Sequence, residues 1–392
     1  MAVLSVGPGE TYASISAAVG ASSTGDTIAV DAGTYVDDWI TITHDLTLQA
    51  VGGMAVLTTS GASPPNGKAY ITESGNVTIS GFDISGVTVP DHNGAGIRYE
   101  GGNLSLVDCF IHDCQDGLLG APDPTGSISI NHSEFAFNGD GSGSTHGIYV
   151  GDIASFSLTN SYVHDTSVGH EVKSRASINV ITDNRIFDNG SSASYSIDLP
   201  NGGAATISGN IIEQGPATQN PAIIAYGEEG VTHAGVASIS GNTIVNDRAG
   251  GVVVLNRSGV AVGFADNTIF GLTADQLGSP ISESGTRFLD VHPVLDLSHL
   301  TFLASSPPSQ PPPEPPPAEP PPPSPPPPTP LPDPSPTLSL LEQYHADVLA
   351  DFTVWATTHQ KLATMPKTLA VLNTELNSTT VLGIIKGDRW SN

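Results

Sequence analysis

The chain repeats one pattern in ITDNRIFDN (181–189), ISGNIIEQ (207–214) and ISGNTIVND (239–247). Each copy begins with a short apolar–polar alternation, passes through one aligned residue and continues with a second apolar pair. Five further copies are ISGFDIS (79–85), LVDCFIHD (106–113), INHSEFAFN (130–138), LTNSYVHD (158–165) and FADNTIFG (264–271). The aligned residues lie 23 to 32 positions apart and are Phe82, Cys109, Ser133, Ser161, Asn184, Asn210, Asn242 and Asn267. A period in this range, with several short strands per repeat, is typical of a solenoid whose stacked polar residues bond from turn to turn.

The opening of the chain indicates which solenoid this is. The alternation within each copy predicts strands with one face inward, and neither a leucine-rich register nor a calcium-binding nonapeptide repeat is present. Residues 11–19 place Tyr12, Ile15 and Val19 on one helical face, which predicts a cap helix over the exposed end of the coil. The opening VGPGETYASI (6–15), GDTIAVDAGTY (25–35) and LTLQAVGG (46–53) resembles right-handed parallel β-helix proteins of the pectate-lyase-like superfamily. We therefore expect an all-β solenoid, a right-handed single-stranded parallel β-helix with an N-terminal cap helix.

Proline divides the chain into three parts. Residues 307–336 contain 20 of the 32 prolines, a density that favours extended polyproline II and excludes helix and sheet. We expect a β-helix over residues 1–304, a proline-rich linker over 305–336 and a helical segment over 337–392. An apolar stripe at helical spacing comprises Leu341, Tyr344, Val348, Phe352, Trp355, His359 and Leu362. Because so small a helical segment has little core, residues 338–376 are predicted to form a homo-oligomer or to dock on a partner.

Charge restricts the classes of partner. The chain of 392 residues has a net charge of −27, and residues 1–306 contribute −23 of it. Nucleic acid is excluded as a partner because phosphate binding needs a basic surface.

No apolar run is long enough for a transmembrane helix, and the opening MAVLSVGPGE contains no readable signal peptide. The fold and the linker together predict an extracellular location or one at the surface of a cell or virion.

One strand of each turn is predicted to expose a patch of charged residues. We align this strand from turn to turn by the one residue in each copy that is predicted to point into the core. These residues are Ile97, Leu118, Ile148, Val172, Ile197, Ile224 and Val253. The residue after each points outward, and these residues are Arg98, Leu119, Tyr149, Lys173, Asp198, Ala225 and Val254. Glu171 and Arg175 should point outward beside Lys173, while His146 and His170 enter their strands at the corner. Tyr149, Glu171, Lys173, Arg175 and Asp198 should thus meet on three adjacent turns, with Arg98 toward the far end.

The rarity of basic residues makes this patch informative. Residues 1–306 hold only eight Lys or Arg, and Lys173, Arg175 and Arg185 fall within 13 positions. A lyase acting on a uronate polysaccharide needs a group that neutralises the carboxylate, a base near C5 and an acid at the glycosidic oxygen. We predict these roles for Arg175, Lys173 and Tyr149 respectively. Arg98, His146 and His170 are predicted to contribute to binding of the acidic polysaccharide.

The segment Glu171-Val172-Lys173-Ser174 is similar to a strand of the alginate-lyase and chondroitinase-B group of β-helix lyases. The resemblance implies that Lys173 is the base and that Glu171 is a ligand for calcium. That group has its catalytic arginine on the following turn, where this chain reads YSIDLPN (195–201) and contains no arginine. Arg175 would have to take that role from a different position.

Other functions fit the same residues. An inverting hydrolase could use Glu171 and Asp198 as its two carboxylates. An epimerase would begin, like a lyase, with abstraction of the C5 proton. The residue types suited to that step are Tyr149, His146, Lys173 and Asp198. Lys173, Asp198 and Glu171 could instead form a ladder of salt bridges between turns. The non-catalytic alternative is a surface or virion spike or stalk, anchored or oligomerised through the C-terminal helix.

Overall fold

The computed structural model describes residues 1–304, and the predicted linker (305–336) and helical segment (337–392) lie outside the described residues. Within residues 1–304, short strands coil in successive turns, and each pairs in parallel with its equivalent one turn away. The predicted all-β parallel solenoid is confirmed. Strands are numbered in chain order and fall on three faces, A, B and C, because each turn of the coil changes direction at three corners.

The strands of the three faces have the following bounds. Face A contains β1 (Val3–Val6), β10 (Asp123–Asn131), β13 (Ile153–Thr159), β16 (Ile178–Thr182), β19 (Ala204–Ser208), β22 (Ala237–Ser240), β25 (Val262–Ala265) and β27 (Ile281–Ser284). Face B contains β6 (Phe82–Ser85), β8 (Phe110–His112), β11 (Glu134–Ala136), β14 (Tyr162–His164), β17 (Arg185–Phe187), β20 (Ile211–Gln214), β23 (Thr243–Asn246), β26 (Thr268–Phe270) and β28 (Arg287–Leu289). Face C contains β3 (Ile40–Ile42), β9 (Asp116–Gly120), β12 (Ile148–Val150), β15 (Val172–Ser174), β18 (Ile197–Leu199), β21 (Ala222–Tyr226) and β24 (Val252–Asn256). Four long strands bend around a corner: β2 (Asp26–Val36) and β4 (Leu46–Thr58) join faces A and B, while β5 (Ala69–Ser80) and β7 (Ala95–Val107) join faces C and A.

The core lies inside the coil and consists of stacked aliphatic residues. On face C the stack comprises Ile97, Leu118, Ile148, Val172, Ile197, Ile224 and Val254, all buried. Six of the seven residues used to register this strand are therefore correct, and Val254 replaces Val253. Val253 and Val254 are both buried within the unbroken apolar run Val252–Leu255, so alternation could not identify the inward residue.

The corner between faces A and B holds the predicted ladder of polar residues. Asn184 donates its backbone N–H and its Nδ2 to Asn210 Oδ1, at 2.9 Å each, and Asn210 does the same to Asn242 Oδ1 at 3.0 and 2.9 Å. The backbone N–H groups of Cys109, Ser133 and Ser161 continue the ladder by donating to the next side chain. Every ladder residue from Phe82 to Asn267 follows a residue in the left-handed region, for example Asp183 at φ 59° and Gly209 at φ 70°. This requirement explains why Gly, Asp, Asn or His precedes each ladder residue, since these types tolerate positive φ best.

The two ends of the described chain lie on the coil. Helix α1 (Ile15–Ala21) begins at Ser14, whose Oγ accepts the Ala17 N–H, and it buries Ile15 and Val19 against the first strands. After a 3₁₀ turn (Ala274–Gln276) and β28, residues 290–304, named the C-terminal strap, run back along face B and end in the short helix α2 (Thr301–Ala304). The strap contacts that face at three separate points, through the pairs His292–Asp247, Asp296–Arg185 and Leu300–Glu134. Among the described residues, no helix has the length and apolarity needed to span a membrane.

Candidate functional site

The predicted outward column on face C is present. Tyr149 on β12 pairs with Lys173 on β15, which pairs with Asp198 on β18, and Ala225 follows on β21. The next outward residue is Leu255 and not the predicted Val254, because Val254 stacks in the core on Ile224. The column thus brings a phenol, an ammonium and a carboxylate together on three adjacent turns, about 4.8 Å apart.

Lys173 lies between two carboxylates. Its Nζ is 3.1 Å from Asp198 Oδ2 and 2.8 Å from Glu229 Oε1, and its side chain is only 10% exposed. Asp198 lies deeper, and burial raises its pKa to about 6 even though the neighbouring Lys173 charge opposes the shift. Asp198 Oδ1 is buried with no hydrogen-bond partner among residues 1–304. The lower part of the site is therefore an enclosed lysine–carboxylate pair with one unused acceptor oxygen.

Arg175 joins the column from the turn that follows β15. Its Nε donates to Tyr149 Oη at 3.0 Å, its Nη1 donates to Asn201 Oδ1 at 2.6 Å, and its Nη2 is 2.6 Å from Glu229 Oε2. The guanidinium is thus directed by a phenol and an amide toward the same carboxylate that Lys173 contacts. Partial burial alone would raise the pKa of Glu229, but the hydrogen bonds and charges of Lys173 and Arg175 hold that pKa below its ordinary value.

Glu229 is the functional-site residue that sequence reasoning missed. It lies in the tight loop Gly227-Glu228-Glu229-Gly230, in which both glycines have positive φ, at 76° and 99°. This loop belongs to the longest repeat interval, the 32 residues between Asn210 and Asn242. The length of the interval indicates an insertion, but the sequence does not indicate over which face the inserted loop folds. The Glu229 side chain is 44% exposed and forms the outer surface of the site over Lys173 and Arg175.

The two predicted histidines form a stack at the edge of the column. The rings of His146 and His170 lie 4.9 Å apart, with Tyr149 and Tyr195 stacked on the outer sides. Each histidine accepts a backbone N–H at Nδ1, at 3.1 Å, so each neutral ring carries its proton on Nε2. Burial and the nearby cation Lys173 lower the pKa of His146 to about 3, while burial and the neighbours His146 and Lys173 lower that of His170 to about 2. Both rings are therefore neutral donors, and His170 Nε2 points toward Asp198 Oδ2 at 3.5 Å.

Two predicted site residues lie apart from the column. Glu171 is fully buried, and its carboxylate accepts from Thr166 N–H at 3.0 Å and from Thr166 Oγ1 at 2.6 Å. The prediction that Glu171 points outward is wrong, because β15 begins only at Val172 and the alternation does not extend into the corner. An enclosed carboxylate is not presented to a surface calcium ion. Arg98 pairs with Glu100 at 2.7 Å and is separated from Tyr149 by the Leu119 strand.

Comparison with known proteins establishes the class of fold. Residues 66–233 match the family model described as a right handed beta helix region. A search of curated proteins gives no match. Among solved structures, pectate lyase Pel9A is 14% identical and covers 73% of this chain and 78% of its own, with a TM-score of 0.50. The pectin methylesterase from Aspergillus niger is 14% identical and covers 77% of this chain and 95% of its own, with a TM-score of 0.38. The PL6 family alginate lyase AlyGC is 15% identical and covers 72% of this chain and 48% of its own, with a TM-score of 0.40. At these identities the likeness concerns the fold alone.

Proposed function

Because the chain folds as a right-handed parallel β-helix, we propose that it acts on an acidic polysaccharide through an outer site on face C. This site, named the face C site, consists of Tyr149, Lys173, Arg175 and Asp198, with His146 and His170 at its edge. Its substrate is a polymer of uronic acid residues, and such a substrate favours a location outside the cell or on the surface of a cell or virion.

One observation carries the proposal: a single carboxylate, that of Glu229, is held by Lys173 at 2.8 Å and by Arg175 at 2.6 Å. A uronate presents the same charged group, and paired ammonium and guanidinium donors bind a carboxylate more strongly than neutral donors do. Glu229 belongs to an exposed loop, so its carboxylate can leave without disturbing the strands that fix the two cations. The face C site therefore has the donors and the geometry for one sugar carboxylate.

Binding is tested with polygalacturonate, alginate and glucuronan, with dextran as the neutral glycan. We expect the full chain to bind one or more of the acidic polymers and not dextran, and we expect Lys173→Ala to abolish that binding. Lys68→Ala is the matched control, since Lys68 contacts Asn93 far from the site. Binding of dextran to the same extent, or a Lys173→Ala variant that binds like the wild type, would refute the proposal.

We further propose that the reaction begins with abstraction of the C5 proton, as in a lyase or a uronate epimerase. Arg175 neutralises the substrate carboxylate, Lys173 accepts the proton and Tyr149 protonates the leaving oxygen. Lys173 accepts a proton only as the neutral amine, so the substrate must displace Glu229 and the ammonium must first give up one proton. Asp198 Oδ2, 3.1 Å from Lys173 Nζ, is the acceptor for that proton.

Two measurements separate the possible reactions. Elimination creates an unsaturated uronate, so a lyase produces ultraviolet absorbance from the polymer, which Tyr149→Phe should reduce. An epimerase gives no such absorbance, but it incorporates deuterium at C5 when the reaction runs in D₂O. If neither signal appears with any acidic polymer that binds, with or without calcium, the proposed chemistry is wrong and the binding proposal stands separately.

A further inference from the structure

A second cluster lies on face B, where residues from three distant segments converge. Glu134 on β11, His164 on β14 and His299 on the C-terminal strap each offer one ligand atom, and these atoms lie within 4.8 Å of one another. Glu134 is fully buried and His164 is 5% exposed, whereas the His299 side chain is 60% exposed. The cluster thus has two fixed members in the coil and one accessible member that arrives from the strap.

The fixed members are oriented by further hydrogen bonds. His164 Nδ1 is 2.8 Å from Asp165 Oδ2, and the other oxygen of Asp165 accepts the Gly190 N–H at 2.8 Å. His164 Nε2 faces Glu134 Oε1 at 3.3 Å, so in the absence of a metal the ring hydrogen-bonds to a carboxylate at each of its nitrogens. Glu134 Oε2 is held by the Leu300 N–H at 2.9 Å. A carboxylate that orients the outer nitrogen of a histidine is the usual support of a metal-bound imidazole.

Two imidazole nitrogens and one carboxylate oxygen thus converge at one point on face B. A divalent metal bound there would take the place of the ring protons that lie between these atoms in its absence. Two imidazoles and one carboxylate are the ligands preferred by zinc and similar divalent transition metals, whereas calcium and magnesium prefer oxygen ligands alone. With metal–ligand bonds of about 2.0–2.1 Å, two ligands of a tetrahedral site lie roughly 3.3–3.4 Å apart. The His164–Glu134 distance of 3.3 Å already has this length.

We propose that Glu134, His164 and His299 form a binding site for a divalent transition metal of the zinc class, which fastens the C-terminal strap to face B. His299 Nδ1 is 2.5 Å from Glu134 Oε1 and must retreat by somewhat less than an ångström to become a ligand. Its exposed side chain allows that movement. The metal site is independent of the face C site, because its residues lie on a different face and share no contact with Lys173 or Arg175.

The test uses the full chain without a histidine tag, treated with a chelator and then titrated with Zn²⁺ and with Co²⁺. We expect one equivalent to bind, with Co²⁺ giving the visible absorption of a nitrogen- and oxygen-ligated ion, and Ca²⁺ and Mg²⁺ failing to compete. His299→Ala and Glu134→Gln should each remove that equivalent. Asp165→Asn should weaken the affinity by about 10- to 100-fold, as loss of a supporting carboxylate usually does.

His292→Ala is the matched control, because His292 lies on the same strap but contacts Asp247. It should bind Zn²⁺ like the wild type. His299→Ala leaves the coil intact, so its circular dichroism should match the wild type, and any loss of metal is then a loss of a ligand. Absence of a stoichiometric equivalent in the wild type, or an equivalent retained by both His299→Ala and Asp165→Asn, overturns the proposal and leaves a proton-linked ion-pair cluster.

Discussion

Glu229 holds both cations of the face C site, so its removal distinguishes a ligand site from a structural ion pair. We expect Glu229→Gln to raise the affinity for an acidic polymer, because the substrate carboxylate no longer displaces an internal one. An exposed ion pair is worth about 0.5–1 kcal/mol, which corresponds to a two- to fivefold gain. Calorimetric titration of polygalacturonate or alginate into wild type and variant measures the change.

Glu228→Gln is the appropriate control for that experiment. Glu228 occupies the same loop, but its side chain is bonded to Tyr195 and not to the two cations. It should leave the affinity at the wild-type value. Weaker binding by Glu229→Gln would mean that Glu229 positions Lys173 and Arg175 for the ligand, and the displacement step would have to be abandoned.

Glu171 makes stability depend on pH. Burial raises the pKa of its carboxyl to about 8, above the ordinary value of 4.5, so the folded state binds the proton more tightly than the unfolded chain. The stabilisation is fully present below about pH 4.5 and is lost as the pH rises toward 8, at up to about 1.4 kcal/mol per pH unit. Glu171→Gln stays uncharged, so we expect its free energy of unfolding to fall less than that of the wild type between pH 5 and pH 8.

Urea denaturation at several pH values measures this difference. Glu10→Gln serves as the control for the substitution itself, since Glu10 is exposed on the surface. Parallel stability curves for wild type and Glu171→Gln would show that the Glu171 carboxyl is ionised in the folded protein. The bonds from Thr166 would then outweigh the cost of burial.

At the scale of the element, the asparagine ladder links successive turns through the interior. Asn210 accepts two hydrogen bonds from Asn184, and its Nδ2 donates to the Ile181 carbonyl at 2.8 Å and to Asn242 Oδ1 at 2.9 Å. Replacement by alanine leaves several buried polar groups without partners, each at a cost of about 1–3 kcal/mol. We expect Asn210→Ala to lower the free energy of unfolding by about 3 kcal/mol or more in urea titration.

A second asparagine stack provides the comparison. Asn103 lies exposed on the outer side of face A, where its Nδ2 donates to Asn76 Oδ1 at 2.6 Å. Asn103→Ala should change the stability by less than about 0.5 kcal/mol, because water replaces the lost bond. Equal losses of stability at Asn103 and Asn210 would show that burial of the ladder does not strengthen its hydrogen bonds.

The sequence allowed the ladder and most of the face C column to be predicted because both are periodic. Asn184, Asn210 and Asn242 recur at the same point of each turn, and Tyr149, Lys173 and Asp198 each follow a core residue. Periodic positions in a solenoid stack directly, so a pattern along the chain becomes a contact in space. The prediction failed where alternation ended, at the corner before β15 and in the apolar run of β24.

Features formed by loops and by the strap could not be predicted in this way. Glu229 reaches Lys173 from 56 positions away, through a loop inserted into the longest repeat interval. His299 meets Glu134 across 165 positions because the strap reverses along face B. Neither contact follows from a period, since the direction of an insertion depends on the surface over which it folds.

For the whole molecule, half of the eight basic residues on the coil are neutralised locally. Arg98, Lys173, Arg175 and Arg185 each pair with a carboxylate. The coil is therefore strongly acidic with few accessible cations, which excludes general attraction of a polyanion and leaves recognition to a specific site. An acidic body also remains soluble when several copies are held together, which suits the alternative function of a spike or stalk.

That alternative makes a prediction about the size of the assembly. The apolar stripe predicted within residues 338–376, which lie outside the described residues, should associate with its own copies, most simply as a trimeric coiled coil. Light scattering of the full chain should then give three times the 40.2 kDa of one chain, and deletion of residues 337–392 should give a monomer. Deletion of residues 377–392 alone is the control and should preserve the trimer. A full chain that is monomeric at all concentrations would contradict self-association, and the function would then rest on the face C site of a single coil.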